Sequence, residues 1–231
     1  MRLGADSRPR ATGRRSVVEP VITKRVQVAA EPSLHDNPIK QHMSRRIAQA
    51  LQGSGADVLL TAATPKFAAQ AVRKVYDIDW KPTHFLTNVS ISVGAVMRPA
   101  GLEKGVGIIS AGYLKEPTDP QWQDTPEYRD WLAWMKKYNT SGSLTDSNNV
   151  TGYSVTQTLV AVLKACGDDL RRENIMKQAA SIHDLKLPML LPGITISTTA
   201  DNFAPIKQMQ LMKFDGATWK LFGEVISGSG S

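Results

Sequence analysis

The sequence has a single cysteine and few aromatic residues, which make up 6% of the chain. One cysteine excludes an internal disulfide and leaves the redox compartment undetermined. Because Cys166 ends an apolar stretch beside Ala165 and Gly167, we interpret it as a small buried thiol in preference to a nucleophile. No apolar run approaches the roughly 20 residues of a membrane-spanning helix, and none of about 7 to 15 residues follows the basic start as in a secretory signal. We therefore expect no membrane insertion.

Motifs that carry chemistry are equally scarce. No histidine pair has the spacing of a zinc motif, there is no cysteine pair, and the four histidines lie far apart in the sequence: His35, His42, His84 and His183. No glycine-rich phosphate loop follows a predicted strand, and no nucleophile can be matched with a base. We therefore predict no metal site, no cofactor and no catalytic residues, and we expect a protein that is not an enzyme.

The positive charge is concentrated near the start of the chain. The net charge is +7, but residues 1–53 carry 10 Lys/Arg against 4 Asp/Glu and the remainder carries 18 against 17. Residues 1–20 are rich in Arg, Gly, Ser and Pro, and either form a disordered basic tail or grip phosphates. No aromatic residues are interleaved with these arginines, which favours the tail and no nucleic-acid partner. Residues 227–231 are predicted to form a second disordered tail.

The most informative segment is residues 55–72, where a short apolar strand leads directly into a helix. The strand, 58–60, is uniformly apolar and so predicts burial on both faces, as in a parallel sheet. Thr64 stands where an N-cap is expected, with Pro65 at the first helical position. Since ligands of open α/β sheets bind where strands end and helices begin, residues 61–64 are a candidate site.

The remaining pattern predicts an α/β protein in three parts. Strands and helices alternate over 21–111, helices dominate 112–192, and closing strands with an Asp215-Gly216 hairpin occupy 193–226. The predicted strands are 25–30, 58–60, 84–86, 105–110, 194–197, 208–214 and 218–226. The predicted helices are 39–51, 65–76, 127–138, 153–165 and 172–182. We predict two subdomains, with residues 105–113 and the segment after Pro192 as crossings, against the alternative of one continuous sheet.

Two features of the helical part have alternative interpretations. Trp131 and Trp134 share a helix face, which either forms a binding surface or, as we favour, packs into the core. Thr151 is a candidate cap of the helix that follows. Tyr153 in its first turn either packs or faces a cleft.

The order of these elements resembles one known family. The resemblance is carried by GADVLL at 55–60, FLTNVS at 85–90, PAGLEKGV at 99–106, GY at 152–153 and MKFDGATW at 212–219. Together they are similar to the leucine/isoleucine/valine-binding family of ABC-transporter solute receptors, with the type I periplasmic-binding fold. The resemblance covers residues 26–226. It implies a parallel-sheet second lobe and an incomplete helical part of the first lobe.

The resemblance also implies a departure from the family. Its members begin with a signal peptide and a complete first lobe, and the chain matches neither. We therefore expect an amino-terminally truncated receptor whose exposed helices promote aggregation or loose packing, while residues 26–111 keep most of their order. Residues 2–20 match nothing in the family.

The resemblance places the second-lobe side of a ligand cleft at the same strand ends. The predicted ligand-binding residues are Thr61, Thr64, Asn88, Ser90 and Tyr153. Asn88 stands where the leucine receptor has an acidic group for the ligand's ammonium, which makes a free amino acid a less secure ligand. The alternative is that Thr64 is only an N-cap and Asn88 only a turn residue.

The resemblance implies the solute-binding component of an ABC importer for branched-chain amino acids or related small carboxylates or amides. Its partners would be the solute and a transporter permease, and its compartment the periplasm. Without a signal peptide the chain would be cytoplasmic if expressed as given. The alternatives are a cytoplasmic small-molecule sensor on the same fold, a non-functional fragment, and an α/β enzyme for which no catalytic pair is found.

Overall fold

The structure is a computed structural model that describes residues 26–30 and 38–228, with side chains from residue 46 onward. The predicted tail over residues 1–20 lies outside this part of the chain, as do residues 229–231. The strands are β1 (Val26–Ala30), β2 (Val58–Ala62), β3 (Thr83–Leu86), β4 (Ile109–Gly112), β5 (Gln208–Phe214) and β6 (Trp219–Ser227). The helices are α1 (Pro38–Gly53), α2 (Pro65–Asp77), α3 (Arg98–Ala100), α4 (Pro120–Gln123), α5 (Pro126–Tyr138), α6 (Ser147–Cys166) and α7 (Arg172–Ala179).

In the described part of the chain the six strands form one sheet in sequence order. β1 to β4 are parallel, because the helical chain after each of β1, β2 and β3 returns the backbone to the same end of the sheet. β5 and β6 then pair antiparallel, with β5 against β4. Asp215 forms the predicted hairpin turn, since its Oδ1 accepts the N–H of Ala217 and that of Thr218, both at 2.8 Å.

The structure thus has the single continuous sheet that was the alternative to two subdomains. The prediction that crossing strands join two subdomains is therefore wrong for the strands. Residues 105–113 contain β4 itself, and the chain after Pro192 returns to the same sheet as β5 and β6. The physical reason is that the helical part supplies no strand with which a second sheet could form. The proposed division at residues 21–111, 112–192 and 193–226 stays a prediction.

One face of the sheet is covered by α2 and by the helical turns between β3 and β4, which include a π-helical turn over Val93–Met97. α2 forms because Pro65 fits the first helical position and small or branched apolar residues recur at helical spacing. The buried residues of this cluster are Ala68, Ala69, Val72, Leu86, Val93, Val96, Met97, Ala100, Ile108, Met212, Phe214 and Trp219. The hairpin thus contributes to the same core as the βα repeats.

The helices α4 to α7 form a second layer of packing away from this core. Trp131, which is fully buried, packs with Met135 and Val150, so the aromatic stripe of α5 is a packing surface as favoured above. Two short segments connect the helices to the sheet: residues 113–115 and 189–191 lie side by side, with Lys115 N–H bonded to the Met189 carbonyl at 2.9 Å. Cys166 is buried, as predicted.

Three predicted elements differ from the structure. α6 begins at Ser147 and not at residue 153, because Asp146 caps it by accepting the Asn148 N–H at 3.0 Å, so Thr151 is not the cap. Residues 194–197 form isolated bridges from Ile196 to Leu185 and Ile206 in place of a strand. β4 also lies later than the predicted strand over 105–110, because Leu102–Gly105 forms a 3₁₀ turn.

The two layers approach each other closely at Gly94. A Cβ atom built there would lie closer than 3.0 Å to the backbone carbonyl oxygen of Thr145, a separation that real side chains do not adopt. Next to it, the Ser92 hydroxyl donates to Asp146 Oδ1 at 3.2 Å. Glycine at position 94 therefore lets the turn after β3 contact the loop before α6.

Replacing Gly94 tests this contact. Gly94→Ala should lower the free energy of unfolding by about 1–3 kcal/mol, because backbone must move to admit the methyl group. The matched control is Gly152→Ala on exposed α6, where nothing lies within 4 Å. It should stabilise by up to about 1 kcal/mol through helix propensity. Urea denaturation followed by circular dichroism measures both, and equal effects of the two substitutions would contradict the role of Gly94.

Helix α6 carries an exposed apolar face. Its exposed residues are Val155, Leu159, Val160 and Leu163, of which Val155 is 63% exposed. Contiguous apolar surface of this kind promotes association. Across residues 26–30 and 38–228, no helix combines the length and the apolar composition needed to cross a membrane.

We expect the chain to self-associate through this face. The double variant Val155→Lys/Leu159→Lys should shift the elution volume in size-exclusion chromatography toward the monomer, since two ammonium groups would oppose burial of the face. Thr156→Lys/Ser181→Lys, at exposed polar positions, adds the same charge and is the control. A monodisperse monomer of the unmodified chain would contradict the prediction.

Candidate functional site

Thr61 lies at the end of β2, and its side chain makes its hydrogen bond within the sheet. Its hydroxyl lies 2.8 Å from His84 Nε2 on the neighbouring β3, and both side chains are buried. Burial lowers the pKa of His84 to about 4, because the imidazolium would lose its hydration. The pair is therefore a neutral hydrogen bond inside the sheet.

Ser90 is also turned inward. It is fully buried, and its hydroxyl donates to the Ala63 carbonyl beyond the end of β2. In the same way the Ser110 hydroxyl donates to the Leu86 carbonyl at 2.5 Å. These serines join the ends of neighbouring strands.

The remaining three predicted residues lie in different surroundings. Thr64 is exposed at the N-cap position of α2, and its hydroxyl makes no capping bond. Tyr153 lies in the core of the helices, edge-on to Trp134 with ring centroids 5.2 Å apart. Asn88 is half-buried and lines a groove. Of the five predicted residues, the structure places only Asn88 in that groove.

We call this cavity the strand-end groove. Three segments border it: residues 88–91 after β3, residues 113–116 after β4, and residues 147–151 at the start of α6. The lining residues are Asn88, Val89, Ile91, Tyr113, Leu114, Lys115, Glu116, Ser147, Asn148 and Thr151. Its volume is about 120 Å³. Pockets for drug-sized molecules measure about 300–1,000 Å³, so the groove suits a smaller solute.

The amino terminus of α6 at the groove is already satisfied by the protein. Asp146 accepts the Asn148 N–H at 3.0 Å, and the Ser92 hydroxyl accepts the Ser147 N–H at 3.3 Å. An anion therefore finds these donors occupied. The side-chain amides of Asn88 and Asn148 make no hydrogen bond to another residue whose side chain the structure describes, which leaves them available to a solute.

Lys115 and Glu116 bring two opposite charges to the groove, and the lysine is paired elsewhere. Its ammonium lies 3.8 Å from Glu127 Oε2 on α5 and 5.4 Å from the Trp122 ring centroid. Glu116 Oε1 accepts the Thr118 hydroxyl at 3.0 Å, and the backbone N–H groups of Thr118 and Val93 also stabilise the carboxylate, which lowers its pKa against the effect of burial. Burial raises the pKa of Glu116 to about 7, since the carboxylate is desolvated.

Glu116 is absent from the predicted site residues for an identifiable reason. Residues 113–116 follow β4 in the same way that Asn88 follows β3, so the rule that found Asn88 applies to them also. The predicted strand ended at residue 110, however, and β4 runs to Gly112. Among residues 46–228, no three His, Cys, Asp or Glu side chains lie together as a metal site would require.

The raised pKa of Glu116 implies that this residue stabilises the folded chain below pH 4.5 and that this contribution is lost as the pH rises through about 7. Relative to the unmodified chain, Glu116→Gln should therefore gain stability between pH 4.5 and pH 7, at up to the order of 1 kcal/mol per pH unit. Urea titrations at pH 4.5, 5.5 and 7.5 measure the difference. A difference that does not vary with pH would contradict a buried carboxyl.

The stability contributed by His84 depends on pH in the opposite direction, and it serves as an internal comparison. Its folded pKa lies below the unfolded value of 6.5, so the folded chain loses stability as the pH falls from 6.5 toward 4. As the pH falls from 6.5 toward 4, the free energy of unfolding of His84→Gln should therefore rise relative to that of the unmodified chain. The same titrations measure both variants.

The chain is similar to known proteins in sequence and in fold. The family described as "Periplasmic binding protein" matches residues 37–218. No curated protein sequence matches the chain.

Several solved structures have a similar fold. A branched-chain amino acid ABC transporter protein from Thermus thermophilus with bound valine is 14% identical, with a TM-score of 0.67, over 80% of this chain and 49% of that one. A substrate-binding protein of an ABC transporter from Aeropyrum pernix is 13% identical, with a TM-score of 0.68, over 84% and 51%. A leucine-binding protein from Thermotoga maritima is 14% identical, with a TM-score of 0.58, over 79% and 48%.

The chain spans about half the length of these structures. At these identities the structures establish the fold, and they confirm the predicted α/β architecture of the type I periplasmic-binding kind. The family match covers well over half of the sequence. The chain belongs to the periplasmic binding protein family.

Proposed function

We propose that the chain binds a small solute in the strand-end groove, as the solute-binding component of an ABC importer. The observation that carries the proposal is the convergence of side-chain amides from two elements, Asn88 after β3 and Asn148 on α6, on a cavity of about 120 Å³. A cavity with a few convergent polar groups at the carboxyl ends of parallel strands is the usual location of a ligand in open α/β folds.

The class of solute follows from the size of the groove and from the similar structures. The cavity suits a molecule of amino-acid size, and one protein of similar fold holds valine. Apolar groups of Val89, Ile91 and Leu114 line the groove beside the amides. We therefore propose a branched-chain amino acid or a related small carboxylate or amide as the solute.

The partner and the compartment are part of the same proposal. Structures of similar fold come from ABC transporters, which supports a transporter permease as the partner. The family is periplasmic, which supports binding in that compartment. Periplasmic binding proteins close around their ligands by hinge motion, and we propose residues 113–115 and 189–191 as the hinge of this chain.

A binding titration of the whole chain tests the proposal. Calorimetry with valine, leucine and isovalerate should detect at least one solute that binds. Asn88→Ala should weaken that binding about tenfold, because one hydrogen bond to the solute is lost.

The control is Gln70→Ala, which removes a side-chain amide of α2 that does not line the groove. It should leave the affinity within twofold of the unmodified chain. Binding of none of the three solutes, or equal affinities of Asn88→Ala and the unmodified chain, would contradict the proposed site.

A further inference from the structure

Ser92 lies where the sheet and the helical layer approach each other, and it is only 2% exposed. Its hydroxyl accepts the Ala95 N–H at 3.2 Å and the Ser147 N–H at 3.3 Å, and it donates to Asp146 Oδ1 at 3.2 Å. A hydroxyl has one proton to donate and two lone pairs, so all of its hydrogen-bonding capacity is used. This one hydroxyl therefore caps the π-helical turn after β3 and the start of α6 at the same time.

Each side of this contact is anchored in its own layer. On the sheet side, the Ile91 carbonyl accepts the Trp219 indole N–H at 2.8 Å, and Val93 is buried in the core that includes α2. On the helical side, the Asn149 side chain donates to the Ser143 carbonyl at 2.7 Å, which holds the preceding loop to α6. The hydrogen bonds of the shared hydroxyl therefore join two parts of the protein that are each held independently.

The contact borders the strand-end groove without lining it. Ile91 and Ser147 line the groove on its two sides. Ser92 and Asp146, their direct neighbours in the sequence, are not among the lining residues. The separation of Ser92 from Asp146 therefore sets how far apart the two walls of the groove stand.

Apolar packing joins the two layers at a different place. Leu190 and Leu191 belong to a buried cluster against which Tyr113 and Leu114 pack, on the segments proposed above as the hinge. At the groove the layers are joined by hydrogen bonds instead. Hydrogen bonds exchange with bonds to water when they open, and so each contributes only a small net free energy. Such a contact can open and close while the apolar cluster stays packed.

We propose that Ser92 and Asp146 form a latch that holds the two layers closed over a solute in the strand-end groove. The proposal rests on the proposed function for the solute, whereas the latch joins the layers with or without one. Both are positioning residues, since they act through the walls of the groove. Loss of the latch should shift the chain toward a more open form, from which a solute dissociates faster.

Glu116 makes the latch sensitive to pH. Its carboxyl accepts the backbone N–H of Val93, next to Ser92. Burial raises the pKa of Glu116 to about 7, and the like charge of Asp146 raises it further. The closed form therefore holds a proton that an open, hydrated form releases, so closure weakens as the pH rises through about 7. The other titratable groups beside it are Lys115, paired with Glu127, and Tyr113, whose pKa is raised by burial.

A pair of spin labels measures closure of the whole chain without a solute. Thr64→Cys before α2 and Lys136→Cys on α5, both at exposed positions, carry the labels in a Cys166→Ala background. In double electron–electron resonance, Ser92→Ala should at least halve the population at the shortest distance. Asp146→Asn keeps an acceptor oxygen and should retain most of that population.

The matched control is Thr198→Val, which removes a buried hydroxyl that is bonded within the helical layer. It should leave the distances unchanged. In the unmodified chain the closed population should fall at least twofold between pH 6 and pH 8, and in Glu116→Gln it should not change. A closed population that is independent of pH in the unmodified chain would overturn the role of Glu116.

Release of the solute gives a second readout. Stopped-flow tryptophan fluorescence with valine, leucine and isovalerate measures association and dissociation rates. Ser92→Ala should raise the dissociation rate about fivefold and leave the association rate within twofold, because the solute still meets the same lining residues. Thr198→Val should change neither rate by more than twofold.

The outcomes distinguish the latch from the proposed function. Binding that Asn88→Ala weakens, together with unchanged distances in Ser92→Ala, would overturn the latch and keep the groove as the site. Altered distances in Ser92→Ala without binding of any of the three solutes would keep the latch and overturn the proposed function. Circular dichroism establishes that each variant is folded. If Ser92→Ala is not folded, Asp146→Ala makes the same test, and unchanged distances there would overturn the latch.

Discussion

The alignment of the carboxyl ends of β2, β3 and β4 is the constraint on which the groove depends. Three hydrogen bonds from buried hydroxyl groups keep these ends aligned. They join Thr61 to His84, Ser90 to the Ala63 carbonyl, and Ser110 to the Leu86 carbonyl. Each bond joins two neighbouring strands or the loops that follow them. Because these hydroxyls satisfy buried polar groups, they fix where the backbone leaves the sheet, and the next residues, such as Asn88, can then be directed into a cavity.

The junction between the sheet and the helices is equally specific. Two segments connect the layers through Lys115 and Met189, and the Ser92–Asp146 hydrogen bond joins the turn after β3 to the cap of α6. Leu190, Leu191, Ile194 and Ile196 form a hydrophobic cluster at the same junction, and Leu221 and Val225 of β6 pack against it, so apolar packing also holds the helical layer to the sheet. The groove lies at this junction, so a solute there contacts both layers at once.

The sequence predicted the elements better than it predicted the site. The apolar strand 58–60, the Thr64-Pro65 start of α2 and the Asp215-Gly216 hairpin have local signals, and the structure has all three. The continuous sheet was not evident, because pairing of β5 with β4 joins residues about a hundred positions apart, and no local pattern encodes it. For the site, residue type and spacing favoured Thr61 and Ser90, yet their hydroxyls bond to neighbouring strands. Which polar side chains remain unsatisfied depends on tertiary distances that spacing does not contain.

The groove also depends on the end of the chain. The Trp219 indole N–H on β6 donates to the carbonyl of Ile91, a lining residue, at 2.8 Å across 128 positions of sequence. Phe214 and Trp219 pack in the same core as α2, with ring centroids 5.3 Å apart. Bringing these residues together costs the entropy of closing the intervening loop, which the buried aromatic contacts offset. The hairpin therefore supports the wall of the strand-end groove formed by residues 88–91, although its side chains do not line the groove.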